Sequence, residues 1–227
     1  MDKVDHKGHR LRLKNLYATE GLDAFNDYQV LELLLYYAIP YKDTNEIAHE
    51  LLGKFGSLAG VFNADHIELS GIDGIGPHAA MLLNMIPALS RKYIGDRWKD
   101  RKQIINSTNA GQYAISLFIG MEHEAFYMIC LDSQGHVIMP VEISEGVVNE
   151  AMVYPRKVIE KALRHNAVMV ILAHNHPGGS TEPSGADIEM TNKLIKALGV
   201  ISVKVMDHII VAGEKYSSLA ERGVIKL

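Results

Sequence analysis

Residues 167–187, AVMVILAHNHPGGSTEPSGAD, hold the reading from which the rest of the chain is understood. The first seven, AVMVILA, form a short apolar run of the kind a buried strand requires. A polar loop with Pro177, Gly178, Gly179 and Pro183 follows, and Ser184 then starts a helix that runs from about Gly185 to Leu198. His174 and His176 stand two apart just past the strand, and positions i and i+2 of an extended chain face the same side. The two imidazoles therefore converge. Asp187 falls in the first turn of the helix, where the bent loop can fold it back toward them.

Two nitrogens and one carboxylate oxygen suit zinc, and three protein ligands leave the fourth tetrahedral position to water. Structural zinc sites are usually closed by four ligands and rich in cysteine, whereas the single cysteine here, Cys130, lies outside the segment between Ile129 and Leu131 and reads as inert packing. An open zinc site lowers the pKa of water to about 7, which is what hydrolysis at neutral pH needs. Taken alone, Ser184 and Asp187 fit an ordinary helix capping box. Their combination with two same-face histidines and the loop bends makes the ligand reading the stronger one. The string His-Asn-His is unrelated to the nuclease motif of that name, whose residues are dispersed along a ββα unit.

Working outward, EAFYMICL (124–131) reads as a strand closed by the turn DSQG, and HVIMPVEIS resumes as its hairpin partner. Pro155 stands at a first helical position ahead of KVIEKALRHN. VISVKVMDHIIVAG closes with two short strands. Strands alternating with two helices give an α/β sandwich-like domain with a mixed sheet. His208, beside Asp207 on an apolar strand, is read either as a group orienting a metal ligand or, preferably, as a hydrogen-bonded core histidine.

Upstream, residues 9–93 read as helices joined by short breaks, and GDRWKDRKQ (95–103), with six charged residues in nine, reads as a linker. The expected division is an all-helical unit over 1–95, a charged linker over 96–104 and the α/β unit over 105–227. LSGIDGIGPHAAMLL (69–83) places Gly74-Ile75-Gly76 between helices and resembles a helix-hairpin-helix, with LLGKFGSLAGVF as its companion. Such modules grip the DNA backbone, so weak DNA contact through residues 56–83 is one expectation. Pro77 and His78 stand where many DNA-binding members carry lysines, and a packing or protein-docking role is preferred.

Composition agrees with a folded globular chain: 227 residues, 48% hydrophobic and 22% charged. The net charge is −4, and residues 1–102 hold 13 basic against 14 acidic side chains, so neither nucleic acid nor anionic membrane is announced. MDKVDHKGHR has no apolar core of a secretory signal and does not read as a mitochondrial presequence. The longest apolar stretch, Val30 to Pro40, contains Glu32 and is far shorter than a bilayer crossing. One cysteine allows no internal disulfide, and the expected compartment is the reducing cytoplasm.

His174-Asn175-His176-Pro177, then Pro183-Ser184 and Asp187, look like the JAMM motif of the JAB/MPN metalloproteases, H-x-H followed by P-S-x-x-D. With VYPRKVIEKAL before it and MDHIIVAG after it, the chain resembles the bacterial RadC (UPF0758) family over nearly its whole length. The resemblance implies an α+β/α/β chain: a helical helix-hairpin-helix domain followed by a mixed-sheet JAB/MPN domain. It implies that His174, His176 and Asp187 bind Zn2+, that Ser184 helps stabilise an oxyanion, and that an upstream glutamate activates water. Glu124, which opens EAFYMICL, matches the family's E-x-F best, with Glu122 and Glu142 as rivals. Asn175 occupies a position where eukaryotic members usually carry Ser or Thr. The implied activity is a zinc metallopeptidase or isopeptidase acting on a peptide or protein amide bond. The alternative is a DNA-associated protein whose metal domain is a scaffold or acts on nucleic acid.

Overall fold

The computed structural model describes residues 6–40, 42–99, 103–104, 106–145 and 153–225. By contacts the chain divides into two compact units, Met1–Leu89 and Ser90–Leu227.

In the first unit the expected helices form: α1 (His6–Glu20), a short 3-10 turn (Leu22–Ala24), α2 (Asp27–Ala38), α3 (Asn45–Phe55), α4 (Leu58–Asn63), α5 (His66–Ser70) and α6, which begins at Pro77 and runs to Lys99. Leu31 and Leu35 of α2, Leu51 of α3, Val61, Leu69 and Leu83 form one apolar core. Glu32 is fully buried in α2 and needs partners there. It finds them in His9 Nε2 at 2.9 Å, the Tyr36 hydroxyl at 2.7 Å and Asn45 Nδ2 at 3.1 Å, which ties α1, α2 and α3 together.

The expected linker differs at both ends. Residues 95–99 continue α6, because lysine and arginine are good helix formers and a charged run does not itself end a helix. The contact boundary accordingly falls earlier than residue 95, within α6: Arg91 already belongs to the second unit and donates to the Ile119 carbonyl there. At the far end, Gln103 bridges His136 and Ile104 N donates to Gly135 O at 2.8 Å, so these two belong to the β unit. Residues 100–102 lie outside the described residues.

The second unit continues with α7 (Ser107–Leu117), β1 (Ala125–Leu131), β2 (Val137–Glu145), α8 (Pro155–Arg164), β3 (Met169–Asn175), α9 (Gly185–Val200), β4 (Lys204–Ala212) and β5 (Lys215–Ser218). The sheet is mixed, in the order β2-β1-β3-β4-β5, with β3 and β4 parallel and every other pair antiparallel. Phe126, Met128, Val170 and Leu172 meet Val158 and Ala162 of α8 and Met190, Leu194 and Leu198 of α9 on one face. Ile129, Ile171, Ala173 and Ile209 meet Ala110, Tyr113 and Leu117 of α7 on the other. The strand period of two sorts these residues, so the fold is three layers with the sheet in the middle.

Two expectations need correction here. Helix α7 was not foreseen. Its sequence STNAGQYAISL is interrupted by Gly111, whose missing side chain makes room for the Tyr216 ring, since a Cβ there would lie 2.4 Å from it. The segment VISVKVMDHIIVAG contains one strand, β4, rather than two. Val200 still belongs to α9, Ser202 turns the chain with φ 59, and β4 then runs unbroken through the polar pair Asp207-His208, both buried. The second strand, β5, lies beyond the Gly213 turn.

Leu194 is 1% exposed on the face of α9 that meets the sheet. Leu194→Ala is expected to lower the unfolding free energy of the second unit by about 2–5 kcal/mol. Urea unfolding followed by far-ultraviolet circular dichroism measures this, and an unchanged midpoint would show that α9 is not anchored as described.

Candidate metal centre

Strand β3 sends Val170, Leu172 and His174 toward α9 and Ile171 and Ala173 toward α7. His174 is therefore buried, 1% exposed, next to Phe126, its cross-strand neighbour on β1. His176 follows just beyond the strand, fixed by its N–H donating to Val211 O at 2.7 Å. The loop then bends at Gly179, which adopts φ 90, and returns to Ser184, the N-cap of α9. A reciprocal capping box forms: Ser184 Oγ accepts from Asp187 N at 3.1 Å, and Asp187 Oδ2 accepts from Ser184 N at 2.7 Å. Asp187 is thus a capping residue and a member of the cluster at once.

His174, His176 and Asp187 are brought together, with a ligand atom from each within 4.8 Å of the others. His174 Nε2 lies 2.9 Å from His176 Nε2 and 3.3 Å from Asp187 Oδ1, and His176 Nε2 lies 3.7 Å from Asp187 Oδ2. The hydrogen bonds behind the rings decide what these atoms offer. His176 Nδ1 is 2.8 Å from Ser180 O, and a carbonyl only accepts, so Nδ1 carries the proton and a neutral ring leaves Nε2 bare. His174 Nδ1 is engaged by His208 Nε2 at 2.8 Å, which leaves His174 Nε2 as its inward-facing atom. Asp187 Oδ2 already accepts from Ser184 N and Ser184 Oγ, both at 2.7 Å, and lies 3.7 Å from His176 Nε2, while Oδ1 faces His174. Electron-pair donors this close to one another are compatible with a shared metal ion. Tetrahedral zinc with bonds of about 2.0–2.1 Å holds its ligand atoms about 3.3 Å apart, so the donor set fits.

Burial by itself raises the Asp187 carboxyl, but when His174 carries a proton on Nε2, hydrogen bonding and charge from that ring, together with the Ser184 hydroxyl and amide, outweigh it and hold the group well below the usual carboxylate range. His208 is fully buried, and that burial, then the neighbouring His174, push its pKa far down, so its ring is neutral. His208 is thus a hydrogen-bonded core histidine, as preferred from the sequence, and its Nε2 touches a member of the cluster. Asp207 points to the opposite face, where it accepts from Ser218 Oγ at 2.6 Å and Ala220 N at 3.0 Å. Cys130 is buried, and burial pushes its thiol up to about 11, as inert packing requires.

Of the three glutamates, Glu142 pairs with Tyr127, whose hydroxyl donates to it at 2.9 Å, in the register alternating with the Phe126–His174 row and hence on the other face of the sheet. Glu122 is exposed, and Glu124 is half-buried immediately before β1. Asn175 was singled out in the sequence only as a departure, yet it grips the chain on both sides of Glu124. Its Oδ1 accepts from Ala125 N at 2.7 Å and its Nδ2 donates to His123 O at 2.9 Å. Strand alternation alone turns Asn175 away from the histidines, and a buried amide facing away from a site signals such a structural clamp. Thr191, one helical turn after Asp187, was also missed; its i+4 spacing from Asp187 was the available signal.

Comparison with known proteins defines the class. A RadC-like JAB domain matches residues 104–224, more than half of the chain. A UPF0758 protein of Fusobacterium nucleatum is 39% identical over 232 residues, covering 99% of this chain and 100% of that protein. A UPF0758 protein of Pseudoalteromonas translucida is 40% identical over 207 residues, covering 91% and 92%. The chain belongs to the RadC (UPF0758) family, and the JAB domain is compatible with a JAMM-type metallohydrolase.

Because the folded Asp187 carboxyl titrates below the unfolded value of about 3.9, its charged-state contacts stabilise the fold fully above that pH. They are lost as pH falls toward the folded value. Metal-free Asp187→Asn is therefore expected to lose stability less steeply than the parent chain below about pH 4 in denaturant titrations. Parallel curves would contradict the assignment.

Proposed function

We propose that the protein is a zinc-dependent metallohydrolase of the RadC/JAMM type, a metallopeptidase or isopeptidase that cleaves an amide bond in a peptide or protein. The observation that carries this reading is the meeting of His174 Nε2, His176 Nε2 and the Asp187 carboxylate, with both rings' Nδ1 atoms already engaged. Two imidazoles and one carboxylate, with no thiolate, match catalytic rather than structural zinc sites, and three ligands keep one position open. Bound there, Zn2+ would supply Lewis acidity, lowering the pKa of water toward about 7 and polarising a carbonyl.

The chain's own residues divide the remaining work. Phe126 pairs with His174, so continuing that antiparallel register by two residues sets Glu124 opposite His176. This supports Glu124 as the group that takes a proton from the attacking water and passes it to the leaving nitrogen. The Asn175 clamp on Ala125 N and His123 O holds that segment in place. Ser184 Oγ donates to Asp187 Oδ2. A hydroxyl held at that place would offer its proton to a carbonyl oxygen brought within reach, which supports the oxyanion role.

The DNA reading draws on the turn between α5 and α6, where Gly74 adopts φ 89 and Gly76 stands open before Pro77. No lysine or arginine occurs in sequence between Lys54 and Arg91, so the hairpin segment supplies no cation of its own, and the fold sets Lys42 Nζ beside the turn, 3.9 Å from where a Cβ on Gly74 would lie. That reading also gives no account of the metal cluster, and we favour the hydrolase.

Purified full-length protein is expected to hold about one zinc per chain, and His174→Ala to hold none. Glu124→Gln should keep the metal and lose about 10²–10⁴-fold in amide hydrolysis. Terminal-peptide mass spectrometry of cell extract treated with the protein or with His176→Ala identifies the cleaved bonds. Identical terminal peptides from both, or full turnover in Glu124→Gln, would refute the mechanism.

A further inference from the structure

Behind the donor cluster lies a chain of hydrogen bonds whose direction can be worked out one proton at a time. The Thr191 hydroxyl is 2.5 Å from the Asp187 carbonyl oxygen and 2.5 Å from His208 Nδ1. A carbonyl only accepts, so the single hydroxyl proton goes to Asp187, and the Thr191 oxygen is left to accept from His208. His208 must then carry its proton on Nδ1, and its Nε2 is bare. That atom lies 2.8 Å from His174 Nδ1 and accepts from it. His174 is thereby protonated on Nδ1, which leaves Nε2, 3.3 Å from Asp187 Oδ1, free of that proton.

We infer that Thr191 and His208 are positioning residues that lock His174 in its Nδ1–H tautomer, so that its Nε2 lone pair is committed to a metal ion before one arrives. The inference rests on the metal reading above and adds where its ligand tautomer is decided. Neither residue belongs to the ligand set. The hydrogen-bond chain starts at the main-chain carbonyl of Asp187 and ends facing the carboxylate of the same residue, so α9 places one ligand and, through Thr191 and His208, sets the protonation of another. Thr191 and His208 are both 0% exposed, so solvent cannot stand in for either partner. With the opposite tautomer, His174 would present an N–H to the cation, and the proton would have to be moved inside a dry core. Outer-shell partners of this kind typically affect metal affinity by about 10–100-fold.

The test reads the imidazole nitrogens directly, by ¹⁵N-resolved NMR of the metal-free full-length protein at about pH 8, above the free-imidazole value. Protons on His208 Nδ1 and His174 Nδ1, with His208 Nε2 bare, are expected. In Thr191→Val, His208 loses its acceptor, and a population protonated on Nε2 should appear. Zinc affinity, measured by chelator competition, should fall about 10–100-fold in Thr191→Val and recover in Thr191→Ser. A proton on His208 Nε2 in the parent chain, or unchanged tautomers and affinity in Thr191→Val, overturns the inference. The parent-chain spectrum needs no variant, so the inference stays falsifiable even if Thr191→Val does not fold. A parent chain with the stated tautomers that takes up no zinc would instead refute the metal reading while upholding the hydrogen-bond chain.

Discussion

The constraint on which the second unit turns is electrostatic: His174, His176 and Asp187 direct electron-pair donors at one small volume, and such a volume is stable only around positive charge. Each donor is held by something that does not itself touch the cluster centre. Ser180 O fixes one ring, His208 the other, and the Ser184 capping group fixes the carboxylate. A mobile side chain could turn away from its neighbours, but these are not free to do so.

The layers of the fold and the geometry of the site are one arrangement. The same period of two that gives β3 an apolar side toward α9 carries that side past the strand's end into His174 and His176. The neighbouring strand β4, parallel to β3, sets His208 opposite Leu172 and so within reach of His174. On the other edge, antiparallel β1 brings Phe126 against His174 and continues back to Glu124. Helix α9 supplies Asp187 from its first turn and Thr191 from its second, while Leu194 and Leu198 further along hold it to the sheet. A capping box, ordinarily a device for starting a helix, here also sets the Asp187 carboxylate beside the two imidazoles.

Much of this could be read from residues in order. The same-side histidines, the bent loop and the acid at the helix start were legible because their positions follow from local periodicity alone, as did the hairpin at DSQG and the helix after Tyr154. What was hidden depended on the third dimension. Helix α7 carries a glycine that looks like a defect until the Tyr216 ring is seen against it. VISVKVMDHIIVAG read as two short strands, whereas one strand runs through the polar pair Asp207-His208, whose side chains are buried and hydrogen-bonded. Asn175 and Thr191 act through contacts with His123, Ala125 and His208, residues far away in sequence, so single-residue patterns could not reveal them. The charged stretch after residue 95 was misread because high charge marks exposure, not the end of a helix.

The central claim is that three protein donors share one cation and leave a place beside it. X-ray absorption at the zinc K-edge of the loaded full-length protein addresses it directly. The account predicts a four-coordinate shell with two imidazole nitrogens at about 2.0–2.1 Å, one carboxylate oxygen and one solvent oxygen, and no sulfur. A shell closed by four protein ligands, or one lacking paired imidazole scattering, would contradict it.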